Sequence, residues 1–214
     1  IYLALFSAFD KEKGALSAIT ESFKALRQVA LQKAELGQET KRIISRLGRM
    51  GTIKDYCSIG DNGKMVRTFQ DVLAMPEGGK VWVVHDSTPP AHDVGAAVER
   101  GGTDAVGELV RIDYANCRLP STVIPDESCD LVTMNQGLHH IPQDKLPIFL
   151  SEVRRILRPS GLFIVREHDA SPKLIPMLDL AHSVFNAITG VGVIDESNEI
   201  RAFRSIQEWR QILS

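Results

Sequence analysis

Residues 124–135 read IPDESCDLVTMN, and GLHHI follows at residues 137–141. Polar residues and a proline come before a short, mostly apolar run, a pattern typical of a turn that leads into a buried strand. Further along, residues 152–165 read EVRRILRPSGLFIV. This second stretch predicts the end of a helix, a sharp turn at residues 157–161 and another buried strand that begins at Leu162.

The same alternation of strands and helices extends toward the N-terminus. The sequence predicts strands at residues 55–59, 80–85, 108–112, 130–134 and 162–166, and helices at residues 63–73, 94–100 and 145–157. Strands that are apolar throughout are buried on both faces, which indicates a parallel sheet covered by helices. We therefore predict an α/β fold, a Rossmann-like three-layer α/β/α sandwich with a mainly parallel sheet.

Helical patterns flank this core, which we place at residues 51–170. Residues 1–50 are predicted to form a helical N-terminal cap, with one helix at residues 15–36 that ends at Gly37 and a second at 39–47 that ends at Gly48. This cap either shapes a binding pocket or serves only for packing. Residues 171–214 are predicted to form a helical segment on the substrate side, with helices at 176–187 and 205–213. The second of these begins with a capping box.

Composition narrows the class of protein. Hydrophobic residues make up 43% of the 214 residues and charged residues 24%, with a net charge of -2, as in soluble globular proteins. Without a basic surplus, a nucleic-acid partner is not indicated. No apolar run reaches the roughly 20 residues of a membrane span. The three cysteines form no C-x-x-C pair and suit reduced packing positions, so we expect a cytoplasmic protein. Because the chain begins without Met, we expect its natural N-terminus to lie elsewhere.

The two stretches at residues 124–141 and 152–165 resemble the second half of a class I S-adenosylmethionine-dependent methyltransferase of type 11. In that family "PD-S-D-L-V" opens the fourth strand and "V-R-R-I-L-R-P-x-G" leads to the fifth. The resemblance spans residues 54–169 and implies S-adenosylmethionine as cofactor and a small-molecule methyl acceptor. The family usually continues into two antiparallel C-terminal strands. Here the sequence ends at Ser214, so either these strands are absent or the sequence is a truncated piece, and the sheet would then have five strands and an exposed edge.

The loop after the first strand is the first part of the implied cofactor site. It carries Gly60 and Gly63, whereas the family has three glycines, and Ser58 stands where the family has an acidic residue. Gly60 would let the backbone approach the methionine end of the cofactor, and Asp61 would meet its ammonium group. Taken alone, a loop with two glycines is most often only a turn.

Polar residues at the ends of the next strands complete the implied site. Asp86 follows the second strand at the distance from Gly63 that suits hydrogen bonds from two ribose hydroxyls, a spacing that NAD would share. By resemblance, Asp113 would accept from the adenine amino group, with Tyr114 or Ala115 beside the ring. A turn-capping role for Asp113 stays open. Asn135 and Gln136 would line the methionine portion.

Histidines follow the fourth and fifth strands, near the expected position of the reacting methyl group. Neutral imidazole is a suitable general base, so His139, His140 and His168 are the predicted catalytic residues, and a packing role for one histidine of the pair stays open. His182 and the acidic residues at 167 and 169 would add metal ligands. Their spacing matches no established metal signature, so we predict a polar acceptor pocket and no metal.

Two other functions compete with methyl transfer. A binding or scaffold module that kept the fold and lost the chemistry is favoured by the incomplete glycine loop and disfavoured by Asp86 and Asp113. A nicotinamide-dependent oxidoreductase of the short-chain kind needs a Tyr-x-x-x-Lys pair, and none of the three tyrosines has lysine four residues on. The sequence is silent on the accepting atom and on the oligomeric state.

Overall fold

The computed structural model describes residues 15–86, 100, 104–189 and 191–214, with side chains described from residue 30 to residue 187 within these ranges and from 191 to 214. The helix predicted at residues 94–100 lies outside the described residues except for Arg100. The described elements are α1 (Ala15–Arg46), β1 (Tyr56–Ile59), α2 (Val66–Val72), β2 (Val81–His85), β3 (Glu108–Arg111), β4 (Cys129–Asn135), a 3₁₀ helix (Leu138–His140), α3 (Leu146–Ile156), β5 (Leu157–Arg166), α4 (Ile175–Thr189), α5 (Val193–Asn198) and α6 (Ile206–Leu213).

The five strands form one parallel sheet in the order β3-β2-β1-β4-β5. The predicted Rossmann-like fold with a five-stranded parallel sheet is confirmed. The chain builds outward from β1 to β3 and then returns to the other side of β1 with β4. Ligands of open α/β sheets bind at the carboxyl ends of the strands beside such a switch point. The crevice between the ends of β1 and β4 is therefore the expected position of a ligand site.

Each face of the sheet carries its own hydrophobic core, because successive side chains of a strand point to opposite faces. In β1, Cys57 and Ile59 pack toward α3 and α6, whereas Tyr56 packs toward α1 and α2. The Tyr56 hydroxyl is buried and lies 2.7 Å from the Thr133 hydroxyl of β4. Burial of all four β1 residues explains why the run reads as a central strand.

The first helix is longer than predicted. The expected break at Gly37 is wrong, since α1 runs without interruption from Ala15 to Arg46. Gly37 lies where α1 crosses α2, and a Cβ atom there would lie 2.9 Å from Cγ2 of Thr68. The glycine thus serves close helix packing rather than helix termination. The predicted end at Gly48 agrees with its left-handed backbone, at φ +66°. The division at residue 50 stays a prediction.

The fifth strand begins earlier than predicted. Residues 157–161 do not form a sharp turn but extend β5 from Leu157, with a register shift against β4 between Cys129 and Leu131. Proline at position 159 is tolerated because β5 is an edge strand and needs no amide donor on its free side. Arg158 fixes this extension by pairing with Asp55 and Asp130, at 2.7 Å each.

The C-terminal segment contains one helix more than predicted, the short α5. The predicted capping box of α6 is confirmed, since the Ser205 hydroxyl and the Glu208 carboxylate each accept from the other residue's amide. Trp209 of α6 is buried in the same core as α3. Among the described residues, no helix has the length and apolar character to cross a membrane.

Candidate functional site

The loop after β1 is closed by the buried carboxylate of Asp61. Its Oδ2 accepts from the Ser58 hydroxyl at 2.9 Å and its Oδ1 from the Gly63 amide at 2.7 Å. Only 4% of the residue is exposed, and burial raises the pKa of Asp61. The carboxylate therefore organises the turn from within. Its predicted contact with an ammonium group stays a prediction.

Gly60 presents bare backbone toward the crevice. Its φ of +81° is left-handed, and a Cβ atom there would lie 3.6 Å from Cε of Met134 and 3.9 Å from the Tyr114 hydroxyl. The phenol of Tyr114 thus overhangs the loop from the end of β3. Burial, followed by the nearby charge of Asp86, raises the pKa of Tyr114, so the phenol is protonated at neutral pH.

The predicted residues at the ends of β2 and β3 surround one open pocket of about 690 Å³. Asp86 reaches it with a side chain that is 56% exposed, and its Oδ1 lies 3.0 Å from Nδ1 of His85. The lining residues are Asp86, Arg111, Ile112, Asp113, Tyr114 and Ala115. A carboxylate beside an aromatic ring in an open pocket suits a nucleoside, with its hydroxyls on the acid and its base on the ring.

Asp113 also has a local structural role. Its Oδ1 accepts from the Ala115 amide at 2.9 Å and its Oδ2 from the Asn116 side chain at 3.1 Å. The backbone oxygen of Asp113 accepts from the amide of Cys117 at 2.8 Å, which closes the turn. The turn-capping alternative therefore holds for Asp113, and its adenine contact stays a prediction.

The end of β4 carries unsatisfied polar atoms. Nδ2 of Asn135 and Oδ1 of Asn62, from the β1 loop, are both buried and have no hydrogen-bond partner among the described residues. Buried polar groups without partners are rare in folded proteins and often bind a ligand or water. Gln136 follows in a left-handed conformation, at φ +55°, and its amide donates to the Arg166 carbonyl at 2.7 Å.

Beside this point, Glu167 of the β5 end holds His139. Nδ1 of His139 lies 2.7 Å from Oε2 of Glu167, while Oε1 accepts from the Leu138 amide at 2.6 Å. Both side chains are buried, with 0% and 2% of their area exposed. Burial acts to raise the pKa of Glu167, but the His139 ring and the backbone amides hold it below its usual value.

His139 is the centre of a cluster of four histidine rings. Its ring centroid lies 4.1 Å from that of His140, 5.3 Å from His168 and 5.1 Å from His182, and it stacks on Phe203 at 4.9 Å. Burial and the neighbouring His139 lower the pKa of His140 and of His168, and lower that of His182 to about 4. These three rings are therefore neutral at pH 7.

Comparison with known proteins agrees with the resemblance seen in the sequence. Residues 68–165 match the family model described as a methyltransferase domain. This match covers 98 of the 214 residues, just under half of the chain. No curated protein matches the sequence.

Solved structures share the methyltransferase fold at low sequence identity. A chain of the complex between the Haloferax volcanii Trm112 methyltransferase activator and a putative methyltransferase has 16% identity and a TM-score of 0.52, over 90% of this chain and 73% of that one. The trans-methyltransferase CalH complexed with SAH has 18% identity and a TM-score of 0.52, over 81% and 47%. An O-methyltransferase family protein from Burkholderia thailandensis has 12% identity and a TM-score of 0.52, over 92% and 55%. At these identities the likeness concerns the fold.

The sequence carries no signal for Asn62, and it marks Glu167 and His182 only as additional metal ligands. Asn62 lies between the two loop glycines and belongs to no motif that would mark it. Glu167 lies in a polar run at the end of β5, but its bond to His139 follows only from the fold. His182 lies on α4, and only packing brings it to the cluster.

Proposed function

We propose that this protein transfers a methyl group from S-adenosylmethionine to a small-molecule acceptor. One observation supports the proposal: predicted cofactor residues at the ends of β2 and β3 line one pocket, the Gly60 loop lies against Tyr114 of that pocket, and four histidines cluster after β4 and β5 and on α4. A methyltransferase needs the cofactor site beside the acceptor site, because the cofactor's methyl group must face the groups that position and deprotonate the acceptor.

The chain's own residues fit the cofactor at three places. Bare backbone at Gly60 allows close approach, and the Asp86 carboxylate lines the pocket, where it would accept from ribose hydroxyls. The unpartnered amide atoms of Asn62 and Asn135 offer an acceptor and a donor beside the crevice. Within the proposal, Ser58, Asp61 and Gly63 hold the loop, Asp113 and Tyr114 flank the base, and Asn135 and Gln136 line the methionine portion. When bound, S-adenosylmethionine supplies an electrophilic methyl group on a sulfonium.

We assign proton removal from the acceptor to the histidine cluster. His168 is partly exposed, and its Nε2 lies 3.4 Å from the Gln136 side chain, next to the proposed methionine portion. It is therefore the first candidate for the proton acceptor. His139 and His140 are the other candidates. Each has one nitrogen engaged by the protein, at Glu167 and at the Ile200 carbonyl, and one nitrogen left for an acceptor.

A small acceptor is favoured over a macromolecular one by charge. The net charge of -2 gives no basic surplus for a nucleic-acid backbone. The candidate site is a crevice at the strand ends rather than an extended groove, as in enzymes that act on small molecules.

Isothermal titration with S-adenosylmethionine tests the proposal, with NAD as the control ligand. We expect micromolar binding by the wild-type chain and an affinity at least tenfold lower for Asp86→Ala, since a hydrogen bond to a charged group contributes about 1.5–3 kcal/mol. Asp71→Ala, an exposed aspartate on α2, is the matched control and should bind as the wild type does. Equal affinity in all three chains would contradict the assigned site. Binding of NAD instead would favour the oxidoreductase alternative over methyl transfer, and binding of neither ligand would favour the degenerate module.

A further inference from the structure

The geometry points to a divalent metal site formed by His139, His140 and His182. One ring nitrogen of each lies within 4.8 Å of the others. The three ligands come from two elements, since His139 and His140 lie on the 3₁₀ helix after β4 and His182 lies on α4. The distance between these positions in the sequence explains why their spacing matches no metal signature.

The free nitrogen of His139 gives the first independent support. A carboxylate only accepts hydrogen bonds, so Nδ1–H of His139 donates to Glu167 and Nε2 is the ring nitrogen that remains. Nε2 is buried and has no hydrogen-bond partner in the part of the chain that the structure describes. A buried polar atom without a partner is costly, and a metal ion bound by Nε2 would satisfy it.

The bonds behind the ligands give the second support. Metal-binding histidines usually donate their other ring N–H to a carboxylate or a backbone carbonyl, which fixes the ring and its tautomer. His139 donates to Glu167, and Nδ1 of His140 lies 2.9 Å from the Ile200 carbonyl oxygen. In both rings Nδ1 is therefore held by the protein, and Nε2 is the nitrogen that would bind the metal. The His182 ring centroid lies 5.1 Å and 5.6 Å from theirs.

The donor set selects the kind of metal. Three imidazoles suit zinc and the neighbouring transition metals, whereas calcium and magnesium prefer oxygen ligands. Three histidines also leave a fourth position open, as catalytic zinc sites do. With bonds of about 2.0–2.1 Å, tetrahedral ligand atoms lie roughly 3.4 Å apart, so modest side-chain rotations would close the cluster around the ion.

The consequence for chemistry rests on the proposed function. A cation at this position would hold the acceptor's oxygen at its open site and lower the pKa of an acceptor hydroxyl. The His168 ring lies 5.7 Å from that of His182 and does not belong to the three ligands, so it stays available for the released proton. The O–H bond of the acceptor would break with its proton passing to the His168 imidazole, and the oxygen would use the retained electron pair to form the new C–O bond. The C–S bond of the sulfonium would break in the same step, with its electron pair left on the sulfur of the departing thioether.

Metal binding is tested on the full chain after removal of metals with a chelator, in the absence of S-adenosylmethionine. Co²⁺ is titrated and followed by its visible absorption, and Zn²⁺ is then added as competitor. We expect one Co²⁺ per chain, displaced by Zn²⁺, with affinity at least 100-fold lower in His182→Ala. Glu167→Gln should bind 10- to 100-fold more weakly, as is typical when the partner of a ligand is removed. His85→Ala, a histidine at the end of β2, is the control and should bind as the wild type does.

Two results would overturn the assignment: no stoichiometric binding by the wild-type chain, or unchanged affinity in His182→Ala. If circular dichroism shows that His182→Ala does not fold, His140→Ala replaces it. Nitrogen couplings measured by electron resonance on the Cu²⁺-loaded wild type then count the coordinated imidazoles. Three are expected, and a single one would overturn the site. Since no readout involves the cofactor, failure here leaves the S-adenosylmethionine titration as an independent test of methyl transfer.

Discussion

The shape of the β1 loop should depend on the Asp61 carboxylate. In Asp61→Ala, the Gly63 amide and the Ser58 hydroxyl lose their acceptor in a buried place. A buried donor without a partner costs about 1–3 kcal/mol, and the hydroxyl can rotate to reduce its share, so we expect a loss of about 2–4 kcal/mol in the free energy of unfolding. At about 2–4 °C per kcal/mol for a chain of this size, the melting temperature should fall by about 4–16 °C.

Asp61→Asn should behave differently, because the amide keeps both bonds. Its oxygen accepts from Gly63, and its nitrogen donates to the Ser58 oxygen, so the loss should stay below about 1 kcal/mol at neutral pH. The pH dependence has a definite sign. Burial raises the folded-state pKa of Asp61 above its unfolded value of about 3.9. The wild type therefore loses stability relative to Asp61→Asn as the pH rises from about 4 through the folded-state pKa.

The assay is urea unfolding of both variants and the wild type, followed by circular dichroism at acid and neutral pH. Asp71→Ala controls for the loss of an exposed aspartate and should stay within about 0.5 kcal/mol of the wild type. If Asp61→Ala proves as stable as Asp61→Asn, the carboxylate does not organise the loop.

Three further predictions concern packing, charge and the metal. Gly37→Ala should destabilise the wild-type chain, because the new methyl group meets Thr68, although alanine favours helices by about 1 kcal/mol over glycine. In a Thr68→Ala background, the same substitution should stabilise the chain. A change in the free energy of unfolding by urea that has the same sign in both backgrounds would contradict the contact between Gly37 and Thr68. Arg158→Ala should cost about 1–3 kcal/mol at pH 7, since it leaves part-buried carboxylates without a cation. Burial acts to raise the pKa of Asp130, but the Asp55 and Lys54 amides and Arg158 hold it below its usual value. The stability that Arg158 contributes is therefore present above a pH of about 4 and is lost on acidification. Thermal melts in which the wild type and Arg158→Ala differ as much at pH 3 as at pH 7 would refute this. Excess Zn²⁺ should raise the melting temperature of the wild type but not of His182→Ala. At a Zn²⁺ concentration 100 times the dissociation constant, the free energy of unfolding of the wild type should rise by about 2.7 kcal/mol. Equal shifts of the melting temperature in both chains would contradict the site.

The strands of the core could be predicted because each is a short apolar run between turn residues. β1 and β2 are buried on both faces, so their sequences are mostly apolar. Strands of this kind are typical of parallel sheets, which made the sheet type predictable. The positions of Asp86 and Asp113 followed for the same reason, since each comes directly after a predicted strand. The local sequence pattern was sufficient to predict these strands and the residues at their ends.

Other features depend on residues that are distant in the sequence. Gly37 looks like a helix end until Thr68 of another helix is seen against it. Proline at position 159 looks like a turn, yet β5 tolerates it as an edge strand. The sequence marks His182 only as an additional metal ligand, because its contact with His139 and His140 arises from the packing of α4 against the 3₁₀ helix. The helix contact, the position of β5 in the sheet and the histidine cluster all depend on tertiary structure. Local sequence patterns therefore did not predict them.

A crystal structure of the protein with S-adenosylhomocysteine tests the central claim most directly. We predict the ribose hydroxyls at the Asp86 carboxylate, the adenine beside Tyr114 and the sulfur turned toward His139 and His168. A ligand whose ribose lies away from Asp86, or whose sulfur faces away from the histidines, would contradict the assignment of both the cofactor crevice and the reacting site.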